Sequence, residues 1–125
     1  MALNENLTAP PGDNELPVDW ERMTDLTGGE TDGLRDLVDL HFEQTARQIT
    51  DIETAIRNNQ PDAVRREAHS CGGASATLGM TRLAAILREL ESQGKASTLT
   101  NATELCTAAR TELVRIREFL APRLP

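Results

Sequence analysis

Apolar residues recur every three or four positions between residues 31 and 58, and this spacing constrains the fold more than any other feature of the chain. Such a period places the apolar side chains along one face of an α-helix, and that face must be buried against other elements. The face is formed by Leu34, Leu37, Val38, Phe42, Ile49, Ile52 and Ile56. With Thr31 as its N-cap, we predict a long amphipathic helix that ends near Asn58.

Two further helices flank this one in the sequence. A short amphipathic helix is predicted at residues 18–27, where Asp19 is a suitable cap and a glycine pair follows. A second long helix is predicted at residues 61–79, because Pro61 suits a first helical position and Gly79 suits a stop.

The C-terminal part of the chain predicts two more long helices. One covers residues 80–95 and closes at Gly94, a glycine C-cap with a lysine beside it. The other begins near Ser97 or Thr100 and stops at Pro122. Four long helices joined by short turns predict an all-α, antiparallel up-down-up-down four-helix bundle, to which the short N-terminal helix is appended.

The length and composition indicate a single domain. A chain of 125 residues is long enough for one real core, and only three of its residues are aromatic, which favours helices over a β-sandwich. Residues 1–16 are polar and interrupted by a Pro-Pro-Gly run, so we expect them to form a flexible tail. Residues 17–125 are expected to form the bundle domain.

Charge and hydropathy exclude several classes of partner. The formal net charge of −7 argues against binding to nucleic acid, which depends on lysine and arginine. No segment approaches the ~20 apolar residues that span a bilayer, so no membrane interaction is expected. Cys71 and Cys106 both fall on predicted core positions and are interpreted as reduced thiols, which favours a cytoplasmic location.

His69 lies on the polar side of the second long helix. The opposite side is formed by small and apolar residues that are expected to be buried: Val64, Ala68, Cys71, Ala74, Ser75 and Leu78. Within one turn of His69 lie Arg65, Arg66, Gly72 and Gly73. A mid-helix glycine costs about 0.5–1 kcal/mol relative to alanine, and on an exposed face it gains no core packing. We therefore expect the glycine pair to leave a shallow hollow beside His69, open to a partner protein.

The residues around His69 resemble a known motif. Residues 68–79 read AHSCGGASATLG and are similar to the phosphorylation-site helix of histidine-containing phosphotransfer (HPt) domains, whose usual form is A-H-[ST]-L-K-G-[SA]-S-x-x-L-G. The positions that match are His69, Gly73, Ser75, Leu78 and Gly79. The family usually has lysine where this chain has Gly72. The resemblance extends, more weakly, from about residue 18 to about residue 120.

This resemblance implies a role in a phosphorelay. His69 would attack the aspartyl phosphate of a receiver domain through one ring nitrogen, Nε2, and a second receiver aspartate would later take the phosphoryl group. The partners would be response-regulator receivers or a hybrid histidine kinase, and the receiver would bring the Mg²⁺. The chain would need no cofactor of its own, would lack autokinase activity and would act as a monomer. The residues expected to contact the phosphoryl group or the partner are Arg65, Arg66, Gly72, Gly73 and Ala76.

One alternative accompanies this interpretation. Because Gly72 replaces the usual lysine, the chain could instead be an HPt-like adaptor that docks a receiver or kinase without carrying phosphate.

His41, beside the apolar face of the first long helix, is interpreted as a partly buried histidine that forms hydrogen bonds within the bundle.

Other chemistries find little support. The glycines match neither G-x-G-x-x-G nor a Walker motif, so no nucleotide-binding loop is predicted. Cys71 lies two residues from His69, and such side chains point apart on a helix, so the imidazole is not expected to activate the thiol. No C-x-x-C or H-x-x-x-H spacing is present to form a zinc site.

Overall fold

The computed structural model describes residues 16–124, and this part of the chain is helical without strands. The helices are α1 (Trp20–Asp25), α2 (Thr31–Arg57), α3 (Pro61–Thr77), α4 (Thr81–Ala96) and α5 (Ala102–Leu120). The all-α prediction is therefore confirmed for the described residues. The flexible tail predicted at residues 1–16 lies, apart from exposed Leu16, outside them.

The four long helices enclose one core. Each packs against the next along the chain, and α5 also packs against α2. The largest fully buried apolar side chains come from all four long helices and from the segment that contains α1: Val18, Met23, Leu34, Ile49, Ile52, Val64, Met80, Leu83, Leu87, Leu90 and Ile116. Because every long helix contributes, the apolar period read from the sequence corresponds to real burial.

The short helix α1 is fastened to the C-terminal end of α3. The Asp19 carboxylate accepts a hydrogen bond from the Arg22 amide at 3.2 Å, which confirms the predicted cap. The Asp19 amide donates to the Gly79 carbonyl oxygen at 2.8 Å. Trp20 contacts Phe119 edge-to-face at 6.4 Å between ring centroids, so α1 also covers part of α5.

Three predictions made for α2 and α3 are wrong. Thr31 is the first helical residue of α2 and not its cap, since Glu30 occupies the N-cap position without a side-chain hydrogen bond. Leu37 is exposed, because the inward line of α2 runs from Leu34 to Val38 and leaves it at the margin. Ala74 is also exposed, since it lies at the margin of α3 beside α2.

The predicted ends of the last two helices also need correction. Helix α4 does not close at Gly94 but continues to Ala96, and Ser97 then adopts the left-handed conformation with φ of 57°. Helix α5 begins at Ala102, later than Ser97 or Thr100, because a turn precedes it. It ends at Leu120, two residues before the proline that was expected to stop it.

Two glycines set the distance between α3 and α4. A Cβ atom on Gly94 would lie 2.7 Å from both the Arg65 amide nitrogen and the Pro61 carbonyl oxygen, which the backbone cannot accommodate. A Cβ on Gly72 would lie 3.4 Å from the Leu87 Cβ. Since the start of α3 faces the end of α4, these two helices run antiparallel in close contact. The glycines therefore serve close helix packing, in place of the C-cap and the exposed surface that the sequence suggested.

Candidate functional site

The His69 side chain stands in solvent on the outer face of α3, where 74% of its surface is exposed. Its Nδ1 atom lies 2.8 Å from Oε2 of Glu91, a half-buried residue on α4. A carboxylate can only accept a hydrogen bond, so we assign the imidazole proton to Nδ1. Nε2 then carries the lone pair of this largely exposed ring. The arrangement holds the ring in one orientation and presents a single nucleophilic nitrogen to water.

The surface beyond His69 on α3 is only partly the hollow that the sequence predicted. Gly73 is exposed, and a Cβ there would meet nothing within 4 Å. Gly72, however, is buried against α4, so its predicted exposure is wrong. Ala76, one turn further on, is partly buried. The open space beside His69 therefore comes from Gly73 and from the absence of a side chain at the α3–α4 seam.

The two arginines that precede His69 are directed toward the start of α3. Arg65 binds the Asp62 carboxylate at 3.0 Å, and Arg66 binds the second oxygen of the same carboxylate. The hydrogen bond from Arg65, together with the positive charge of both arginines, lowers the pKa of Asp62. Both guanidinium groups thus have an anionic partner about two turns before His69. A role of either arginine in holding a phosphoryl group stays a prediction.

An apolar patch borders α3 on the side of α2. We call the exposed side chains of Leu26, Leu37 and Leu40 the leucine patch. They line one shallow depression together with exposed Ala74 and Thr77 of α3. Three exposed leucines at one site form an apolar surface that a partner protein can bury in an interface.

His41 lies on the other side of α3 from His69, inside the α2–α3 contact, and is 5% exposed. Its Nε2 lies 3.2 Å from Oγ of Ser75 and 3.2 Å from Oγ1 of Thr45. The Ser75 hydroxyl donates to the Cys71 carbonyl oxygen at 2.7 Å, so its oxygen can accept from His41. Burial lowers the pKa of His41 to about 4. The prediction that His41 is a hydrogen-bonded structural histidine is confirmed.

Both cysteines are buried and free, as predicted. Burial raises the pKa of Cys71 to about 12 and that of Cys106 to about 11. At neutral pH both therefore remain thiols, and their contribution is to packing rather than to nucleophilic chemistry.

Residues 16–124 contain neither a cluster of metal ligands nor a helix that could span a membrane. No group of three or more histidine, cysteine, aspartate or glutamate side chains is arranged there to hold a metal ion. Among the described helices, none combines the length and the apolar character needed to cross a membrane.

Sequence reasoning missed Glu91, although a signal for it was present. Helices α3 and α4 are joined by the turn at residues 78–80. In such a helical hairpin, residues at similar distances before and after the turn lie side by side. His69 lies nine residues before this turn and Glu91 lies eleven residues beyond it, which are similar distances. The register between α3 and α4 depends on how closely the two helices pack. The glycines set that distance, and the apolar periodicity of the sequence does not show it.

Comparisons with known proteins agree with this geometry. The sequence model for a family described as "Hpt domain" matches residues 36–119, more than half of the chain. A solved structure, that of histidine-containing phosphotransfer protein B (HptB) from Pseudomonas aeruginosa PAO1, superimposes with a TM-score of 0.79. The two chains are 22% identical, and the match covers 86% of this chain and 93% of HptB, which establishes a shared fold. A search of curated proteins found no match.

Proposed function

Because the chain belongs to the Hpt domain family, we propose that it carries a phosphoryl group on His69 within a phosphorelay. A receiver domain with an aspartyl phosphate is the proposed donor, and the aspartate of another receiver is the proposed acceptor. One observation carries this proposal: the Nδ1 of His69 lies 2.8 Å from the Glu91 carboxylate, while 74% of the His69 side chain is exposed to solvent. This is the geometry that in-line attack by a single ring nitrogen requires.

The transfer step balances without a further reactant. The Nε2 lone pair forms a bond to phosphorus as the bond between phosphorus and the donor carboxyl oxygen breaks, and that oxygen leaves with its electron pair as aspartate carboxylate. The imidazole, which keeps its Nδ1 proton, becomes cationic. The reverse step returns the phosphoryl group to a second carboxylate and restores the neutral ring.

Glu91 has a defined part in this step. Its carboxylate accepts the Nδ1 proton in a hydrogen bond of 2.8 Å, so it stabilises the positive charge that the ring gains on phosphorylation. It also fixes the ring plane, which limits the orientations that an incoming phosphoryl group must meet. Glu91 is therefore a positioning residue that acts through the ring of His69.

The leucine patch is the proposed docking surface for the receiver. It flanks α3 beside Ala74 and Thr77, so a partner seated on it would reach His69 along the same exposed face. The receiver would contribute its phosphorylated aspartate and the Mg²⁺ that neutralises the transferring group. This chain would supply the nucleophile, its orientation and an apolar contact.

One feature favours a second function. Gly72 is packed against α4 and brings no charge to His69. A domain that docks a receiver or kinase through the leucine patch without accepting phosphate would have the same surface. This adaptor function is the alternative to phosphotransfer.

The arrangement of the helices and the setting of the protein are part of the proposal. The antiparallel packing of α3 and α4, the three-residue connections at 58–60 and 78–80, and the contact of α5 with α2 support an up-down-up-down four-helix bundle. We propose that the domain acts as a monomer in the cytoplasm, where receivers can reach His69.

Incubation with a phosphorylated receiver tests the proposed function. The wild type should acquire label that is labile in acid and stable in alkali, as a phosphohistidine is, and His69→Gln should acquire none. Formation of a receiver complex without any label on the wild type would favour the adaptor. Label that persists in His69→Gln would contradict the assignment of the site.

A further inference from the structure

We infer that Arg88 of α4 binds the phosphoryl group carried by His69, an inference that rests on the proposed function. The cation that neutralises the transferred group would then come from the helix opposite His69 rather than from its own helix. Arg88 lies three residues before Glu91, so α4 would supply both groups that act on the phosphorylated ring.

The chemistry of the site requires a cation. A phosphoryl group carries a charge of about −1.5 to −2 at neutral pH. On Nε2 of His69 it would be separated by one imidazole ring from the Glu91 carboxylate, which holds Nδ1. Two anionic groups at opposite ends of one imidazole repel each other, and a guanidinium beside the phosphoryl oxygens offsets this.

Arg88 is in place for this contact. A Cβ on Gly72 would lie 4.0 Å from the Arg88 amide nitrogen, so the two residues face each other across the α3–α4 seam. Gly72 is one turn beyond His69, a separation of about 5–6 Å on a helix surface. No side chain on α3 fills the space between, because Gly72 and Gly73 have none. The long Arg88 side chain can therefore extend over the seam toward His69.

The Arg88 side chain is also available. It is exposed, and within residues 16–124 it forms no hydrogen bond or ion pair. It borders a groove of about 250 Å³ that lies between the start of α1, the end of α3 and the first half of α4. The groove is lined by Asp19, Arg22, Ala76, Thr81, Ala84 and Arg88. Its one carboxylate, that of Asp19, caps α1 through the Arg22 amide.

The other nearby cations are less free. Arg65 and Arg66 both bind Asp62. Lys95, one turn beyond Glu91, shares its groove with the carboxylates of Asp62 and Glu91. A phosphoryl group approaching from that side would meet two anions, whereas on the Arg88 side it meets bare backbone.

Phosphorylation by potassium phosphoramidate tests Arg88 in the absence of any receiver, so no partner cation can contribute. The initial rate of His69 labelling should fall about three- to tenfold in Arg88→Gln and recover partly in Arg88→Lys, which keeps the charge without the fork. The matched control Lys95→Gln, which also removes one positive charge from α4, should stay within about twofold of the wild type.

A second readout reports on the phosphoryl group itself. In ³¹P NMR titrations of the phosphorylated proteins, loss of Arg88 should raise the pKa of the phosphoryl oxygens by about half a unit, because a neighbouring cation favours the dianion. A merely structural role for this exposed residue would leave that pKa unchanged. Equal unfolding temperatures would show that the variant is folded.

The outcomes separate the two proposals. If the wild type takes no label from either phosphoramidate or a phosphorylated receiver, the proposed function fails. If the wild type is labelled and Arg88→Gln matches it in both rate and phosphoryl pKa, the Arg88 inference is wrong while the proposed function stands. An equal loss in Lys95→Gln and Arg88→Gln would also overturn the inference, since it would indicate a general effect of net charge.

Discussion

His69 lies on α3 and His41 packs against the same helix, but the two histidines meet opposite environments. His69 is largely exposed, and its Nδ1 is bound to a carboxylate. His41 is almost fully buried, and its Nε2 lies within hydrogen-bond distance of the hydroxyls of Ser75 and Thr45. One ring is presented to visiting molecules, and the other fastens α2 to α3.

The difference shows that the hydrogen-bond partner of an imidazole determines whether the ring can react or remains neutral. A carboxylate on Nδ1 leaves Nε2 free and stabilises the cation that forms when Nε2 reacts. Hydroxyl partners inside a core satisfy a neutral ring and oppose its protonation. The two environments therefore support the proposed transfer role of His69 and the structural role of His41.

Exchange of each histidine for glutamine should give the largest contrast. His69→Gln should lower phosphoryl transfer from a receiver by at least about 100-fold, since no other exposed imidazole is present in the described chain. His41→Gln should keep transfer near the wild-type level per folded molecule. The measurement is the label acquired after a short incubation. A large loss in His41→Gln with an intact fold would break the contrast.

Replacement of His41 should lower the free energy of unfolding more than replacement of His69 does. His41→Ala leaves a cavity between α2 and α3 and removes the hydrogen bond to Ser75, so the free energy of unfolding should fall by about 2–4 kcal/mol. His69→Ala should change it by less than about 0.5 kcal/mol, because the ring is exposed. Urea denaturation measures both values. Equal losses for the two variants would show that the environments are less different than described.

Lowering the pH should reduce the free energy of unfolding, because His41 is buried in its neutral form. The pKa of His41 is about 4 in the folded protein and 6.5 when unperturbed, so the unfolded chain binds the proton more readily. This contribution is complete above pH 6.5 and is lost as the pH falls toward 4. Between pH 7 and pH 5 the loss should be about 2 kcal/mol.

The His41→Ala variant is the control for this pH dependence. Its free energy of unfolding, measured with urea at each pH, should lack the histidine contribution while keeping that of the carboxylates. Parallel pH profiles for the wild type and the variant would contradict the assignment of the effect to His41.

Glu91→Gln should give the smallest effect. The amide oxygen can still accept the Nδ1 proton, but the variant loses the charge that stabilises the phosphorylated ring, so transfer should slow about three- to tenfold. The folded state should be unaffected. Glu89→Gln, at an exposed position on the same helix, is the matched control and should transfer at the wild-type rate. Identical transfer rates for Glu91→Gln and Glu89→Gln would show that the Glu91 charge does not contribute to transfer.

The sequence predicted each histidine's environment but not the residues that create it. Apolar periodicity located the helices, and the angle of His69 relative to the apolar face predicted its exposure. The contact with Glu91 and the burial of Gly72 depend on the register between α3 and α4. A single helix carries no information about that register.

Close packing explains the remaining misjudged positions. Gly94 was interpreted as a C-cap because glycine commonly ends helices, whereas here it lets the Arg65 backbone approach. Ala74 and Leu37 lie at the margin between α2 and α3, where a few degrees of helix rotation decide burial. Local patterns do not fix such rotations, because the neighbouring helix does.

Locating the phosphoryl group within the labelled protein tests the central claim most directly. After transfer from a phosphorylated receiver to protein labelled with ¹⁵N in its histidine rings, NMR can detect the coupling between phosphorus and the ring nitrogen to which it is bonded. The account predicts one phosphoryl group, on Nε2 of His69, with the ring of His41 unchanged. Phosphorus bound to Nδ1 of His69, or to His41, would contradict it.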